Sequence, residues 1–242
     1  MINLKNLDKQ GFKYVCGVDE AGRGPVLGSL FIGFSIIVLE SLKALNEYQD
    51  MLSSLGVRDS KKLSVKKRAA LYELLKEKMD MKFAQLTPAL IDSNNAQGGT
   101  LNALQVEAIV RILEMEKPDL VLIDALTSSP EKYGDELLSR LSFECKIIAE
   151  NKADDTFSLV GAASIIAKEL REQELAQLRL KLPEILGADC LTCGSGYPSD
   201  KVTVAFLKAY HSDERINFVF RKSWASYKDA VKSGVQRTLS DL

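Results

Sequence analysis

Three short stretches of this chain run through apolar residues into carboxylates or stand beside them. Tyr14 to Asp19 closes on Asp19-Glu20, Leu120-Val121-Leu122-Ile123 closes on Asp124, and Asp154-Asp155 immediately precedes a long helical pattern. Apolar runs this short read as strands, and acids that close strands in an α/β sheet lie at its carboxyl edge, where sites usually form. Several carboxylates held together at neutral pH repel one another, so such a cluster calls for bound cations, and oxygen donors favour Mg²⁺ or Mn²⁺. Each acid alone is equally well an ordinary strand-end or helix-cap residue; together they point to metal-assisted phosphoryl chemistry. Side chains alternate along a strand, so Asp19 and Glu20 share a site only if the strand ends between them, and Ala21-Gly22-Arg23-Gly24-Pro25 supplies a bend.

The rest of the pattern is an α/β one. A longer β-rich run, Leu30 to Leu39, follows the glycine loop, and Ser64 to Met79 has helical spacing with a cap-like start. A third strand is expected at Lys82 to Leu86, a long amphipathic helix at Asn94 to Met115 with a break at Gly98-Gly99, and a further strand at Lys146 to Ala149. Ser158 to Leu182 should be one long helix, and from Pro183 onward short helices and loops are expected, ending in a polar, loose last dozen residues. Early strands, then alternating helix and strand, then helices, indicate a layered sheet with a helical C-terminal part.

Composition narrows the function classes. With 242 residues and 46% apolar content, the chain can bury a large core, and no apolar run approaches the roughly 18 to 20 residues needed to span a bilayer. Four scattered cysteines suit a reducing compartment, so a cytoplasmic, unsecreted protein is expected. A net charge of -1 argues against a protein that coats nucleic acid non-specifically, yet local basic clusters at Lys61, Lys62, Lys66, Lys67 and Arg68, and at Arg221-Lys222, leave room for a cationic groove.

At Gly17-Val18-Asp19-Glu20-Ala21-Gly22-Arg23-Gly24-Pro25 the sequence resembles the opening signature of ribonuclease HII, the type 2 ribonuclease H family. Further blocks follow in the family's order: Asp59-Ser60-Lys61-Lys62-Leu63, Leu122-Ile123-Asp124, Lys152-Ala153-Asp154, Ala162 to Lys168, Gly194 to Asp200 and Arg221 to Trp224, the last two most like the archaeal branch. The resemblance implies a ribonuclease H-like mixed sheet flanked by helices (residues 1–182) with a helical C-terminal extension (residues 183–242). It implies an endonuclease acting on RNA/DNA hybrids and on duplex DNA containing ribonucleotides, in replication and repair, with Mg²⁺ or Mn²⁺, two per site, on Asp19, Glu20, Asp124 and Asp154. Asp155 is the alternative fourth acid, because Asn151 stands where the family commonly has histidine before the lysine; Ser29 likewise replaces a usual proline.

By the same resemblance Gly22, Arg23 and Gly24 bring backbone against the ribose 2′-OH, Tyr197 stacks on the neighbouring sugar, and Ser60, Lys61 and Lys168 hold phosphates. Glycines permit that approach, and the 2′-OH is the group that separates RNA from DNA. Without the family, Tyr197 reads as a turn aromatic beside Pro198 and Arg23 as a solvated loop charge. The tail Gln236 to Leu242 resembles a truncated sliding-clamp-binding peptide lacking its paired aromatics; otherwise the chain is expected to be monomeric and away from membranes.

Other signals are weaker. Cys190-x-x-Cys193 has no second pair to complete a zinc site, His211 reads as a surface or helix-end residue, and Trp224 as a core-packing residue. An aspartyl-nucleophile phosphatase would show Asp-x-Asp where this chain has Asp19-Glu20-Ala21, and a P-loop would follow its glycines with Lys and Ser/Thr. A non-catalytic hybrid binder would keep Tyr197 and the basic residues without needing all four acids.

Overall fold

The structure, a computed structural model, describes residues 13–57 and 63–240, the side chains of residues 42 and 233–240 excepted. Its strands are β1 (Tyr14–Ala21), β2 (Leu30–Val38), β3 (Asp80–Leu86), β4 (Leu120–Asp124) and β5 (Lys146–Glu150). They form one sheet in the order β3-β2-β1-β4-β5. The β1–β2 pair is antiparallel, whereas β1–β4 and β4–β5 are parallel, so the sheet is mixed. The helices are α1 (Leu42–Ser54), α2 (Val65–Lys76), α3 (Pro88–Ala96), α4 (Leu101–Glu116), α5 (Pro130–Ser139), α6 (Ala153–Thr156), α7 (Ser158–Leu186), α8 (Lys201–Tyr210) and α9 (Ala225–Ser240), with a 3₁₀ segment at Glu214–Val219. Among the described residues no helix is long and apolar enough to cross a membrane.

The chain divides into two compact units. The first holds residues 13–21, 31–57, 63–84 and 105–169, and the second residues 22–30, 85–104 and 170–240. In the first unit the sheet carries the core. Val15, Cys16 and Val18 of β1 and the whole of Leu120 to Ile123 in β4 are buried, the continuous apolar run expected of a strand flanked on both sides by parallel or antiparallel neighbours. The first half of α7 lies so close to the sheet that two strand positions must be glycine. A Cβ on Gly17 would come within 2.5 Å of the Leu159 carbonyl oxygen, and one on Gly33 would overlap that of Ala163. The small residues Ala162, Ala163 and Ala167 on the helix are the matching half of this seam.

In the second unit Val26, Leu27, Leu175, Leu182, Phe206, Leu207, Ile216, Val219 and Phe220 form a core, with Trp224 packed against it as expected. His211 caps the C-terminal end of α8, also as expected, and its carbonyl accepts the Tyr227 hydroxyl.

Several boundaries depart from the sequence reading. The break expected at Gly98-Gly99 is present, with Gly98 at φ +81° and the Asn94 side chain in the space where a Cβ on Gly99 would lie, but the residues before it, Asn94 to Ala96, belong to a separate helix, α3. Helix α7 continues past Pro183 to Leu186 and stops at Gly187, whose φ of +104° gives the left-handed termination. Pro183 sits in the last turn, where its missing N–H costs at most one helical bond. The last dozen residues are not loose backbone throughout, since α9 runs to Ser240.

Candidate active site

The parallel register of β1 and β4 pairs Val18 with Ile123, so the next residues, Asp19 and Asp124, lie side by side, Asp124 at the end of β4 and Asp19 two residues before the end of β1. Asp124 is held by the Ala153 amide, which donates to its carboxylate at 2.8 Å at the start of α6. That bond is made possible by Lys152, which turns the chain through the left-handed region at φ 58°. Asp154, one residue further on, is buried, and Asp155 is exposed.

Asp19 is 6% exposed, and its carboxyl is pushed up to about 7, chiefly by burial and further by the charge of Asp124. The Ser164 hydroxyl, the Glu20 amide (2.7 Å) and the Lys168 ammonium act in the opposite direction. Ser164 and Lys168 are one helical turn apart on α7, held over β1 by the glycine–alanine seam described above. Lys168 is thereby brought close enough to Asp19 to favour its ionised form.

Glu20 is less simply placed. β1 does not end between Asp19 and Glu20: it pairs with β2 through Glu20↔Ile32 and Ala21↔Phe31. The pleat therefore sends the two side chains to opposite faces, and the bend anticipated between them comes only after Ala21. Among the described residues no three His, Cys, Asp or Glu side chains are gathered as closely as a bound ion would hold them. The donor chemistry nonetheless fits a hard divalent cation. It consists of carboxylates alone, and Asp19 and Asp124 oppose one another's ionisation, a cost that a cation between them would remove.

The residues expected to meet ribose belong to the second unit. Gly22 adopts φ +92°, and a Cβ there would come within 2.9 Å of the Arg171 side chain. Gly24 is exposed, and a Cβ on it would touch the Tyr197 ring at 3.5 Å, so the loop and the tyrosine are neighbours. Tyr197 is 40% exposed, with the Arg171 guanidinium 5.1 Å from its ring centroid. Arg171 also donates to the Ser195 carbonyl at 2.7 Å. Asp200 closes the same turn by accepting the Ser195 amide and hydroxyl, both at 2.8 Å, and the Val202 amide at 3.0 Å.

Arg23 is not a solvated charge, since its guanidinium donates to Asn102 at 2.7 Å. Arg221 is no part of a cationic groove: it has no exposed surface, stacks on Trp224, and donates to the carbonyls of Gly28 (2.8 Å) and Arg23 (3.2 Å). Burial drives its ionisation down to about 10, which still leaves it cationic at neutral pH. Ser60 and Lys61 lie outside the described residues. Cys190 and Cys193 are unbridged, and burial raises the Cys193 thiol.

Sequence reasoning passed over Arg171 and Glu174, which it read as charges on a long helix. Their spacing of three residues marks one helix face, but their partners stand 24 and 145 residues away.

Comparison with known proteins bears on the same residues. The Ribonuclease HII family profile matches residues 16–227. Ribonuclease HII of Thermococcus sibiricus is 42% identical over 217 residues, covering 88% of either chain. Among solved structures, ribonuclease H2 from Pyrococcus horikoshii OT3 superposes with a TM-score of 0.76 at 32% identity, covering 91% of this chain and 98% of that one. The RNase HII of a PCNA:RNase HII complex from Archaeoglobus fulgidus superposes with a TM-score of 0.72 at 34% identity, covering 87% and 94%. With this fold and this extent of likeness, the chain belongs to the ribonuclease HII family, endonucleases that hydrolyse the RNA strand of RNA/DNA hybrids.

Proposed function

We propose that this chain both degrades the RNA strand of hybrids and cuts duplex DNA on the 5′ side of embedded ribonucleotides, leaving 3′-hydroxyl and 5′-phosphate ends. The observation that carries the reading is the in-register pair Asp19 and Asp124 at the carboxyl edge of two parallel strands, with Lys168 close enough to favour the ionised acid.

Asp19, Asp124 and Asp154 would hold two divalent cations, Mg²⁺ or Mn²⁺, which when bound supply activation of an attacking water and stabilisation of the departing 3′ oxygen. Glu20, the remaining acid that the resemblance names, would join them by its longer side chain reaching round the strand edge, since β1 continues through it. Asp154 is preferred to Asp155 as the fourth acid because it is buried beside the Ala153 amide that fixes Asp124. The protein's own part is placement. Gly24 would leave backbone bare for the ribose 2′-OH, with the buried Gly22 turning the chain into it at φ +92°, and Arg23, held by Asn102 and by Arg221, keeps that backbone in one position. Tyr197, held face-on by Arg171, offers a flat surface to the next sugar. Lys168, with Ser60 and Lys61, would take phosphate oxygens. Residues 1–182 would then form the catalytic domain and residues 183–242 an extension carrying Tyr197, in a monomeric cytoplasmic enzyme.

The test is cleavage of a labelled duplex with one ribonucleotide, beside an all-DNA control, for the wild type and Asp124→Asn. Cutting on the 5′ side of the ribonucleotide, abolished by chelator and lowered by about a thousandfold or more in the variant, is expected. Binding without cutting would sink the enzymatic reading in favour of an inert hybrid binder.

A sliding clamp is a second proposed partner, supported by the relative found in a PCNA complex and by the Gln236–Leu242 sequence, whose side chains lie outside the described residues. Equal recovery of the clamp with full-length protein and with a chain truncated after residue 235 would remove the idea.

A further inference from the structure

Gly22, Gly24 and Gly28 place three glycines in seven residues of the loop proposed to read ribose, and glycine-rich backbone is costly to order. The structure nevertheless fixes this loop at several atoms. Arg221 holds the carbonyls of Arg23 and Gly28, and the Gly28 amide donates to the Val219 carbonyl at 2.9 Å. The loop's exit is fixed differently, by a single carboxylate on α7. Glu174 accepts the Ser29 amide on one oxygen at 2.7 Å and the Ser29 hydroxyl on the other. The Gln85 amide group braces both partners, donating towards the Ser29 hydroxyl at 3.0 Å and the Glu174 carboxylate at 3.2 Å.

The fit leaves no slack. Ser29 is 1% exposed, and Gly28 turns through φ +77° with the Glu174 carboxylate lying 2.8 Å from where its Cβ would be. A residue larger than glycine at 28 would thus be strained in its backbone and would strike the carboxylate. Charge-assisted bonds that use both oxygens of one carboxylate are stronger and more directional than neutral ones. One helical turn earlier, Arg171 packs against Gly22 and faces Tyr197. One face of α7 therefore carries a contact for the loop's entrance, one for its exit and one for the tyrosine.

We propose that Glu174 is a positioning residue for ribose recognition: by clamping Ser29 it pre-orders the Gly22–Gly28 loop, so that substrate binding need not supply the ordering free energy. This rests on the reading that the loop meets the 2′-OH. Glu174 itself touches no reacting atom.

The experiment uses the full-length enzyme and a duplex carrying one ribonucleotide, at a temperature well below the unfolding midpoint of every variant. Glu174→Gln turns one acceptor into a donor facing donors, and Ser29→Ala removes the hydroxyl. Each is expected to raise KM about tenfold, a change of about 1.4 kcal/mol, with kcat within about twofold, the pattern of lost ground-state binding. The double variant should be no worse than the weaker single, because both break one interaction. Hydrogen exchange without substrate supplies a readout independent of turnover: amides of residues 22–29 should exchange faster in both variants, with those of β1 unchanged. Unaltered KM, additive effects in the double variant, or unaltered exchange in the loop would overturn the clamp while leaving the activity standing. A wild type with no preference for the ribonucleotide duplex over DNA would overturn the reading beneath it, and the proposal with it.

Discussion

Tyr197 and Asp200 place a proposed substrate surface and a fold-fixing carboxylate in a single turn. Arg171 lies over the tyrosine ring, and much of the residue stays exposed. Base–aromatic stacking is worth about 1–3 kcal/mol per base; with a sugar contact of the same order, Tyr197→Ala is expected to lower kcat/KM on the ribonucleotide duplex by about tenfold to a hundredfold. The milder change Tyr197→Phe should retain most of the wild-type kcat/KM if the flat face rather than the hydroxyl carries the contact.

Asp200 supplies the turn's pH dependence. The Ser195 amide, the Ser195 hydroxyl and the Val202 amide lower its carboxyl to about 2. A carboxyl depressed in the folded state contributes stability that is complete above its unfolded value, near 3.8 here, and is lost as pH falls towards 2. Acid titration of the unfolding midpoint should therefore be flatter between pH 4 and pH 2 in Asp200→Asn than in the wild type. Parallel curves would show that the turn opens before the carboxyl titrates.

At the scale of elements, the α7–sheet seam is the least forgiving contact. Gly33→Ala drives a methyl into the Ala163 carbonyl, and overpacking of this sort costs about 1–3 kcal/mol or more, because backbone on both sides must move. Gly56→Ala is the useful contrast, since nothing lies within 4 Å of the added methyl and only the φ of +87° is strained. Denaturant unfolding should rank Gly33→Ala as the more damaging.

How far each element could be read from the chain follows from where its information lies. β4 was legible residue for residue, because a buried strand with neighbours on both sides is an unbroken apolar run, and its acid stands where the burial stops. The sequence reading ended the first strand at Asp19 on the same ground, but Asp19 is itself buried and β1 runs two residues beyond it. Helices α1 and α5 were not read, although their buried residues, Leu45, Gln49 and Leu52 in α1 and Tyr133, Gly134 and Leu137 in α5, stand at helical spacing. Arg221 was misread because charge in a sequence implies solvent, whereas here carbonyls and the Trp224 ring replace water around it. No local pattern announces the Glu174 clamp, whose partner is 145 residues away.

For the whole molecule, 32 basic against 33 acidic residues leave no general cationic field to hold nucleic acid. With Arg221 buried, the proposed phosphate contacts reduce to Lys168 and Lys61. Counterion release of about 0.9 per phosphate contact then predicts a slope near −2 for the logarithm of hybrid affinity against the logarithm of salt concentration. Binding titrations of a catalytically inactive variant across a range of KCl would check it, and a slope several times steeper would reveal a basic groove that these two lysines do not account for. A shallow slope would leave discrimination to shape and to the proposed 2′-OH contact.

The Ala153 amide that donates to Asp124 offers a way to watch the centre without substrate. A backbone N–H bonded directly to a carboxylate has proton and nitrogen resonances that follow the charge on that group. Ala153 should therefore shift when Mg²⁺ reaches Asp124, stay still in Asp124→Asn, and return with chelator. That single amide would serve as a built-in titration probe of the acidic centre in the resting protein.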